Sequence, residues 1–182
     1  MPHGFPSWTI LALAATLTVA ALPALAAGTW RVGAPMPTAR GELAVTELDG
    51  LIYAAGGLVR RQTTAAFERY DPAADRWQRL ADLPLPLHHL GMAALGGRIY
   101  VTGGYSGGFS ADYAATWAYD PASDRWTRLA NMPGARAAHA MVALDGRLYV
   151  VGGVGAASSE LWVYDPAADS WASAPAPLPT RR

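Results

Sequence analysis

The chain of 182 residues contains no cysteine, which excludes disulfides and thiolate metal sites and leaves packing as the source of stability. It contains no lysine either: all 14 basic residues are arginine, balanced by 14 acidic ones, so the formal charge is zero. That balance argues against a general phosphate-binding surface, because nucleic-acid domains carry a basic excess. Alongside the abundant alanine and proline, the missing lysine reads as compositional bias of the coding sequence. Beyond residue 26 there is no helical periodicity and no apolar run long enough to span a membrane.

The one long apolar run is N-terminal. Ile10 to Leu22 is rich in alanine and leucine, and Ala24-Leu25-Ala26 fits the small-residue rule for signal cleavage. A signal peptide over 1–26 is therefore expected, with a weak n-region that carries only His3 beside the amino terminus. The alternative is an uncleaved membrane anchor, since Trp8 to Ala27 reaches the length, on the order of 20 residues, that crosses a bilayer. Pro23 and the A-x-A triplet favour cleavage. Either way the part over 27–182 is expected to be exported, periplasmic or extracellular, with membrane contact only if the leader stays attached.

One phrase then returns three times: Tyr70-Asp71-Pro72-Ala73-Ala74-Asp75-Arg76-Trp77, Tyr119-Asp120-Pro121-Ala122-Ser123-Asp124-Arg125-Trp126 and Tyr164-Asp165-Pro166-Ala167-Ala168-Asp169-Ser170-Trp171. The tryptophans recur at intervals of 49 and 45 residues, a period that marks one supersecondary unit repeated. Upstream of each phrase a glycine doublet (Gly56-Gly57, Gly103-Gly104, Gly152-Gly153) closes a short apolar run, and each run follows a two-residue turn (Asp49-Gly50, Gly96-Gly97, Asp145-Gly146) suited to a tight hairpin. The strands feeding these hairpins are expected over Gly41–Leu48, His88–Leu95 and Ala137–Leu144. A third strand ends at Tyr70, Tyr119 or Tyr164, the Asp-Pro phrase makes the next turn, and a fourth strand begins at Trp77, Trp126 or Trp171. Each unit thus reads as four antiparallel strands, a to d. Such a sheet must be covered by its neighbours, and radial stacking gives a β-propeller. The repeated aromatics are expected between blades; for Trp117 and Trp162 an exposed sugar platform is the alternative.

The glycine doublet after an apolar strand, with Tyr and Trp at fixed spacing downstream, resembles the Kelch repeat over about residues 34 to 179. The resemblance implies an all-β Kelch-type propeller with strand a innermost and strand d outermost, its repeats at about 38–83, 85–132 and 134–179, in a bacterial, exported member of the family. It also implies six or seven blades, where this chain has three. Thr29-Trp30-Arg31-Val32 resembles a lone strand d, and Pro177-Leu178-Pro179-Thr180 resembles Pro35-Met36-Pro37-Thr38, the entry to the first strand a. Three readings follow: part of a larger propeller cut short, a homodimer completing a six-bladed ring, or an open arc.

Antiparallel order puts the a–b and c–d turns on one face and the variable b–c and d–a loops on the other, where binding is expected. Arg40 and Arg136 each lie sixteen residues before a glycine doublet, at the start of strand a. By resemblance they would contact an acidic partner or ligand; as structural residues they would bond loop carbonyls. His139 sits where the family often has a histidine. Glu42, two residues after Arg40 and so on the same side of a strand, could form an acid/base pair with it, as in the Kelch-like sialic acid epimerases. His88 and His89, adjacent in a strand, would face opposite ways, so no metal is assigned. The copper chemistry of galactose oxidase relatives needs a Cys–Tyr crosslink and is excluded, and no glycine run precedes a helix that could take a phosphate. The expectation is a scaffold without cofactor, binding a protein or glycan and no nucleic acid, with a sugar epimerase as the alternative.

Overall fold

Asp49-Gly50, Gly96-Gly97 and Asp145-Gly146 hold both residues at φ between 48° and 77°, the condition for a type I′ turn whose twist suits the strands it joins. In the computed structural model, which describes residues 28–109, 113–174 and 178–180, they close the innermost hairpins of three repeats. The first repeat holds β1 (Ala44–Leu48), β2 (Leu51–Ala55), a small hairpin of β3 (Leu58–Val59) and β4 (Gln62–Thr63), β5 (Phe67–Asp71) and β6 (Arg76–Arg79). The second holds β7 (Gly91–Leu95), β8 (Arg98–Thr102), β9 (Thr116–Asp120) and β10 (Arg125–Leu129). The third holds β11 (Arg136–Ala137), β12 (Ala140–Leu144), β13 (Arg147–Val151), β14 (Val154–Gly155), β15 (Trp162–Asp165) and β16 (Ser170–Ser173). The main sheets are four-stranded and antiparallel, in the orders β1-β2-β5-β6, β7-β8-β9-β10 and β12-β13-β15-β16. The fold is all-β, as a Kelch-type propeller segment requires. Among the described residues no helix is long and apolar enough to cross a membrane; the leader expected over 1–26 lies outside them.

The repeated phrase does two jobs. Its first aspartate shapes its own turn: Asp71 Oδ1 accepts from the N–H of Ala73 and Ala74 at 2.9 and 3.1 Å, Asp120 from Ala122 at 3.0 Å, and Asp165 from Ala167 at 2.9 Å. Its second aspartate reaches the preceding link. Asp124 Oδ1 accepts from Tyr119 Oη at 2.7 Å and from the Ala81 N–H at 2.9 Å, while Trp126 Nε1 donates to the Ala81 carbonyl at 3.0 Å. Asp169 and Trp171 hold Ala130 the same way, at 2.8 and 3.0 Å. Asp75 and Trp77 hold Ala34, at 2.7 and 2.9 Å.

Behind these contacts lies the inter-blade core. Between the first two sheets Tyr53 and Phe67 pack on Tyr119 and Trp126, with the Phe67 and Tyr119 rings 4.7 Å apart and edge-on. Between the second and third, Tyr100, Ala93 and Ala118 pack on Leu148 and Tyr164. Trp117 and Trp162 are buried; they belong to the core and form no exposed platform. At the inner end the glycine doublets meet the next repeat. The N–H of Gly57 donates to the Leu87 carbonyl at 2.8 Å, and that of Gly104 to the Arg136 carbonyl at 3.0 Å. Gly103 sits at φ +58°, where a Cβ would come 2.1 Å from the Arg136 oxygen, so no other residue fits there.

The middle sheet is covered on both sides and the outer two on one. In strand a, Met92 and Ala93 are 7 % and 5 % exposed, whereas Val45 is 55 % exposed and Val142 and Leu144 are 50 % and 57 %. Val45 is the counterpart of Met92, on the side of a preceding blade. Val142 and Leu144 lie on the side of a following one.

Two expectations are corrected. Strand a begins three residues late in every repeat, because Glu42, His89 and Ala138 adopt φ of 57°, 55° and 53° and break the ladder. Gly41 and His88 instead make isolated bridges to Leu58 and Tyr105, and β11 pairs with β14. The lone strand d does not form either. The chain divides into units over 1–32 and 33–182, and in the first the described residues 28–32 take no regular structure, with Trp30 fully exposed. Each c strand, β5, β9 and β15, already carries the d strand of its own repeat.

Trp126→Phe keeps an aromatic ring at the junction but trims the indole and removes the donor to Ala81, and should lower stability by about 1–2 kcal/mol. Gly103→Ala, which forces backbone apart at positive φ, should cost more, on the order of 3 kcal/mol. Urea unfolding of the purified chain measures both; a Gly103→Ala chain as stable as wild type would show that the inner junction does not hold the sheets together.

Candidate functional site

The loop face is built from the starts of the a strands and the b–c loops. Its inner ring is the row of left-handed residues just described, joined across repeats by backbone: the His89 N–H donates to the Glu42 carbonyl at 3.2 Å, and the Ala138 N–H to the His89 carbonyl at 2.8 Å. Left-handed geometry re-aims each side chain, so the alternation rule for a strand fails at this ring.

That failure separates Arg40 from Glu42. The Arg40 guanidinium pairs with Glu68, both side chains fully buried, and donates to the carbonyls of Thr38 and Ala54 at 2.9 and 3.0 Å. Thr38 Oγ1 donates to the other Glu68 oxygen at 2.6 Å. Arg136 is likewise buried. It donates to the carbonyls of Glu160 at 3.0 Å and Ala156 at 3.1 Å, and to that of Ala157, with its guanidinium carbon 3.5 Å from the centre of the Trp162 ring. The structure thus holds both arginines in structural contacts, Arg40 tying the link at Thr38 to strands β2 and β5 and Arg136 tying down the loop over 156–160.

His139 is buried between the second and third repeats. Its Nε2 lies 2.9 Å from Thr102 Oγ1, and its Nδ1 has no partner among the described residues. Burial, and then the Arg136 charge, push its imidazole down to about 4. It is a buried, neutral group packed at the junction of the two repeats.

Glu42, His88 and His89 come together instead. Glu42 Oε2 lies 2.8 Å from His89 Nδ1 and 3.8 Å from His88 Nδ1, and the two ring nitrogens are 2.7 Å apart. His88 is fully buried, while His89 and Glu42 are partly open to solvent. The premise that adjacent histidines diverge is corrected here: His88 keeps extended geometry, His89 is left-handed, and both rings turn to one side. The three could hold a cation, with ligand atoms all within 4.8 Å of one another. That Glu42 and His89 fall at equivalent places was visible in the repeat spacing, since 42, 89 and 138 each precede a glycine doublet by the same interval.

The sequence reading also passed over Arg60 and Arg61. They form the two-residue tip between β3 and β4, at φ of 49° and 70°, and are exposed. No Asn-Gly or Asp-Gly announces this turn. Clefts of about 620 and 370 Å³ flank the tip, the first lined by Thr38, Val59 and Arg60, the second by Arg61, Thr63 and Ser106.

Against known proteins, the chain matches the model of a KLHDC2/KLHL20/DRC7 Kelch-repeats domain over residues 17–153 and that of a Kelch motif over residues 135–177. It is similar to the Influenza virus NS1A-binding protein homolog of Mus musculus, 41% identical over 73 residues, which is 40% of this chain and 11% of the relative. It is also similar to Kelch-like protein terF of Aspergillus terreus, 42% identical over 74 residues, 38% of this chain and 16% of the relative. The solved structure of YjhT superposes with a TM-score of 0.68 at 22% identity, over 81% of this chain and 54% of that one. That likeness is one of fold. The chain spans a small part of these curated relatives and about half of the solved structure.

Because the His139 imidazole is held below its ordinary value of 6.5, the unfolded chain takes up its proton first as pH falls. Stability should therefore be level above about pH 6.5 and decline toward pH 4, by roughly 3 kcal/mol in all from this group. His139→Gln should remove that decline. Urea unfolding at several pH values compares the two chains, and parallel profiles would refute the assignment.

Proposed function

We propose that this chain, which belongs to the Kelch-repeat family, acts as an exported binding scaffold whose loop face engages a protein or glycan bearing carboxylates. The observation that carries the reading is the Arg60-Arg61 tip. Two exposed guanidinium groups stand at adjacent left-handed positions between two clefts, where arginine forks suit carboxylate geometry. A left-handed non-glycine residue is disfavoured by roughly 1–2 kcal/mol, so turn geometry alone would favour Asn-Gly here. Arg40 supports the reading indirectly, because its bond to the Thr38 carbonyl fixes the link that lines the first cleft.

Exchanging the pair for Arg60→Asn with Arg61→Gly separates charge from shape. The double variant should gain roughly 1 kcal/mol in stability from relieved backbone strain. It should also lose at least about tenfold in affinity for acidic peptides or sialylated glycans at low salt, with the wild-type interaction weakening as salt rises. Equal retention of both chains on immobilised anionic probes would overturn the reading.

The open sheet faces bear on the assembly. A homodimer would cover Val45 of one copy with Val142 and Leu144 of the other and give six blades. With residues 29–32 outside any sheet, three complete repeats per copy satisfy that count without a spare strand. Light scattering should give twice the chain mass; a soluble monomer at micromolar concentration would rule the dimer out.

The sugar-epimerase alternative retains one supporting observation, the 2.8 Å contact between Glu42 and His89, which could hold and move a proton at an open site. Absence of anomer exchange by the wild-type chain would end it.

A further inference from the structure

We infer that Glu42, His88 and His89 form a site for a divalent ion of the zinc class, independent of the scaffold reading and in place of the expectation of no metal. His88 Nε2 lies 3.0 Å from the Gly108 carbonyl. A carbonyl only accepts, so Nε2 carries the proton and Nδ1 of the neutral ring presents a lone pair. That lone pair faces His89 Nδ1 at 2.7 Å, and the Glu42 carboxylate stands 2.8 Å from the same His89 atom. Two bare lone pairs cannot face each other at this distance, so the corner takes either a hydrogen on His89 Nδ1 or a metal ion in its place.

The dimensions suit a metal. A tetrahedral ion with bonds near 2.0–2.1 Å holds its ligand atoms roughly 3.3 Å apart, and the three separations here, 2.7, 2.8 and 3.8 Å, bracket that value. Two imidazoles and one carboxylate are a borderline donor set that suits zinc better than the hard, oxygen-seeking ions. A ligating histidine normally donates its other nitrogen to a carbonyl or carboxylate, which fixes its tautomer; Gly108 supplies that contact for His88. The rings of Tyr105 and Phe109 lie 5.0 to 5.9 Å from both imidazoles and back them on one side. Glu42 and His89 leave the site reachable from solvent. Three protein ligands leave a fourth position for water or for a donor from a partner.

The test is calorimetric titration of the tag-free full chain with zinc chloride. Wild type should bind one ion per chain with a dissociation constant of about 10 μM or tighter, as metal affinities for complete His/carboxylate sets allow. Glu42→Gln and His89→Gly should each weaken binding by at least about tenfold; glycine at 89 keeps the left-handed backbone, and circular dichroism confirms the fold. His139→Gln, which removes a histidine outside the cluster, should bind as wild type does. A wild-type chain that takes up no zinc at about 100 μM, or either cluster variant binding as tightly as wild type, would overturn the site.

Discussion

The structure depends on a small set of hydrogen bonds between one repeat's aspartate and tryptophan and the alanine that ends the repeat before it. Asp124 and Trp126 take both the N–H and the carbonyl of Ala81, and the same pair of bonds recurs at Ala34 and Ala130. A four-stranded sheet has two apolar faces and cannot bury either alone. The clasp fixes how far apart and at what rotation successive sheets sit, so that Phe67 meets Tyr119 and Leu148 meets Ala118. It also explains the tyrosine of the phrase, whose hydroxyl completes the aspartate's shell: burial and the Asp169 carboxylate raise the Tyr164 hydroxyl well above its ordinary value, and the Tyr164 bond lowers Asp169.

At the other end of each interface the link is backbone to backbone. The second glycine of a doublet donates to the link that leads into the next strand a, at Leu87 or Arg136. Two fixed ends leave the interface little freedom. They also account for the exposed valines and leucine of the outer sheets, because each junction covers the side of a blade that faces a neighbour and leaves the other side bare.

Much of this was legible because the repeat reports itself three times. Turn residues, apolar runs and aromatic spacing all marked the strands correctly to within a few residues, and copies that agree reinforce one another. What was hidden was tertiary. Nothing near Arg40 in the sequence announces Glu68 as its buried partner, since the pairing runs across the sheet. The breaks at Glu42, His89 and Ala138 carry no glycine or asparagine, the residues by which left-handed backbone is usually recognised. An alternation rule applied there put Glu42 beside Arg40 and set the histidines apart, when the backbone does the reverse. The Arg60-Arg61 turn was missed for the same reason.

The left-handed residues sort by face. On the side of the a–b and c–d turns every non-glycine case is an aspartate: Asp49, Asp75, Asp124, Asp145 and Asp169, a residue type that tolerates this geometry and bonds its own backbone. On the loop side the cases are Glu42, Arg60, Arg61, His89, Ala138 and Ala157, of which only the histidine is a type enriched in this geometry. Local rules are often broken at functional sites; here the breaks fall on one face, where they bring the Glu42 carboxylate to the His89 ring and set Arg60 and Arg61 at an exposed tip, while Ala138 and Ala157 share the geometry without a charged side chain. The turn face is therefore built of residues that suit its backbone, and the strained positions gather on the loop face, among them Glu42 and His89 of the inner ring and the arginine tip.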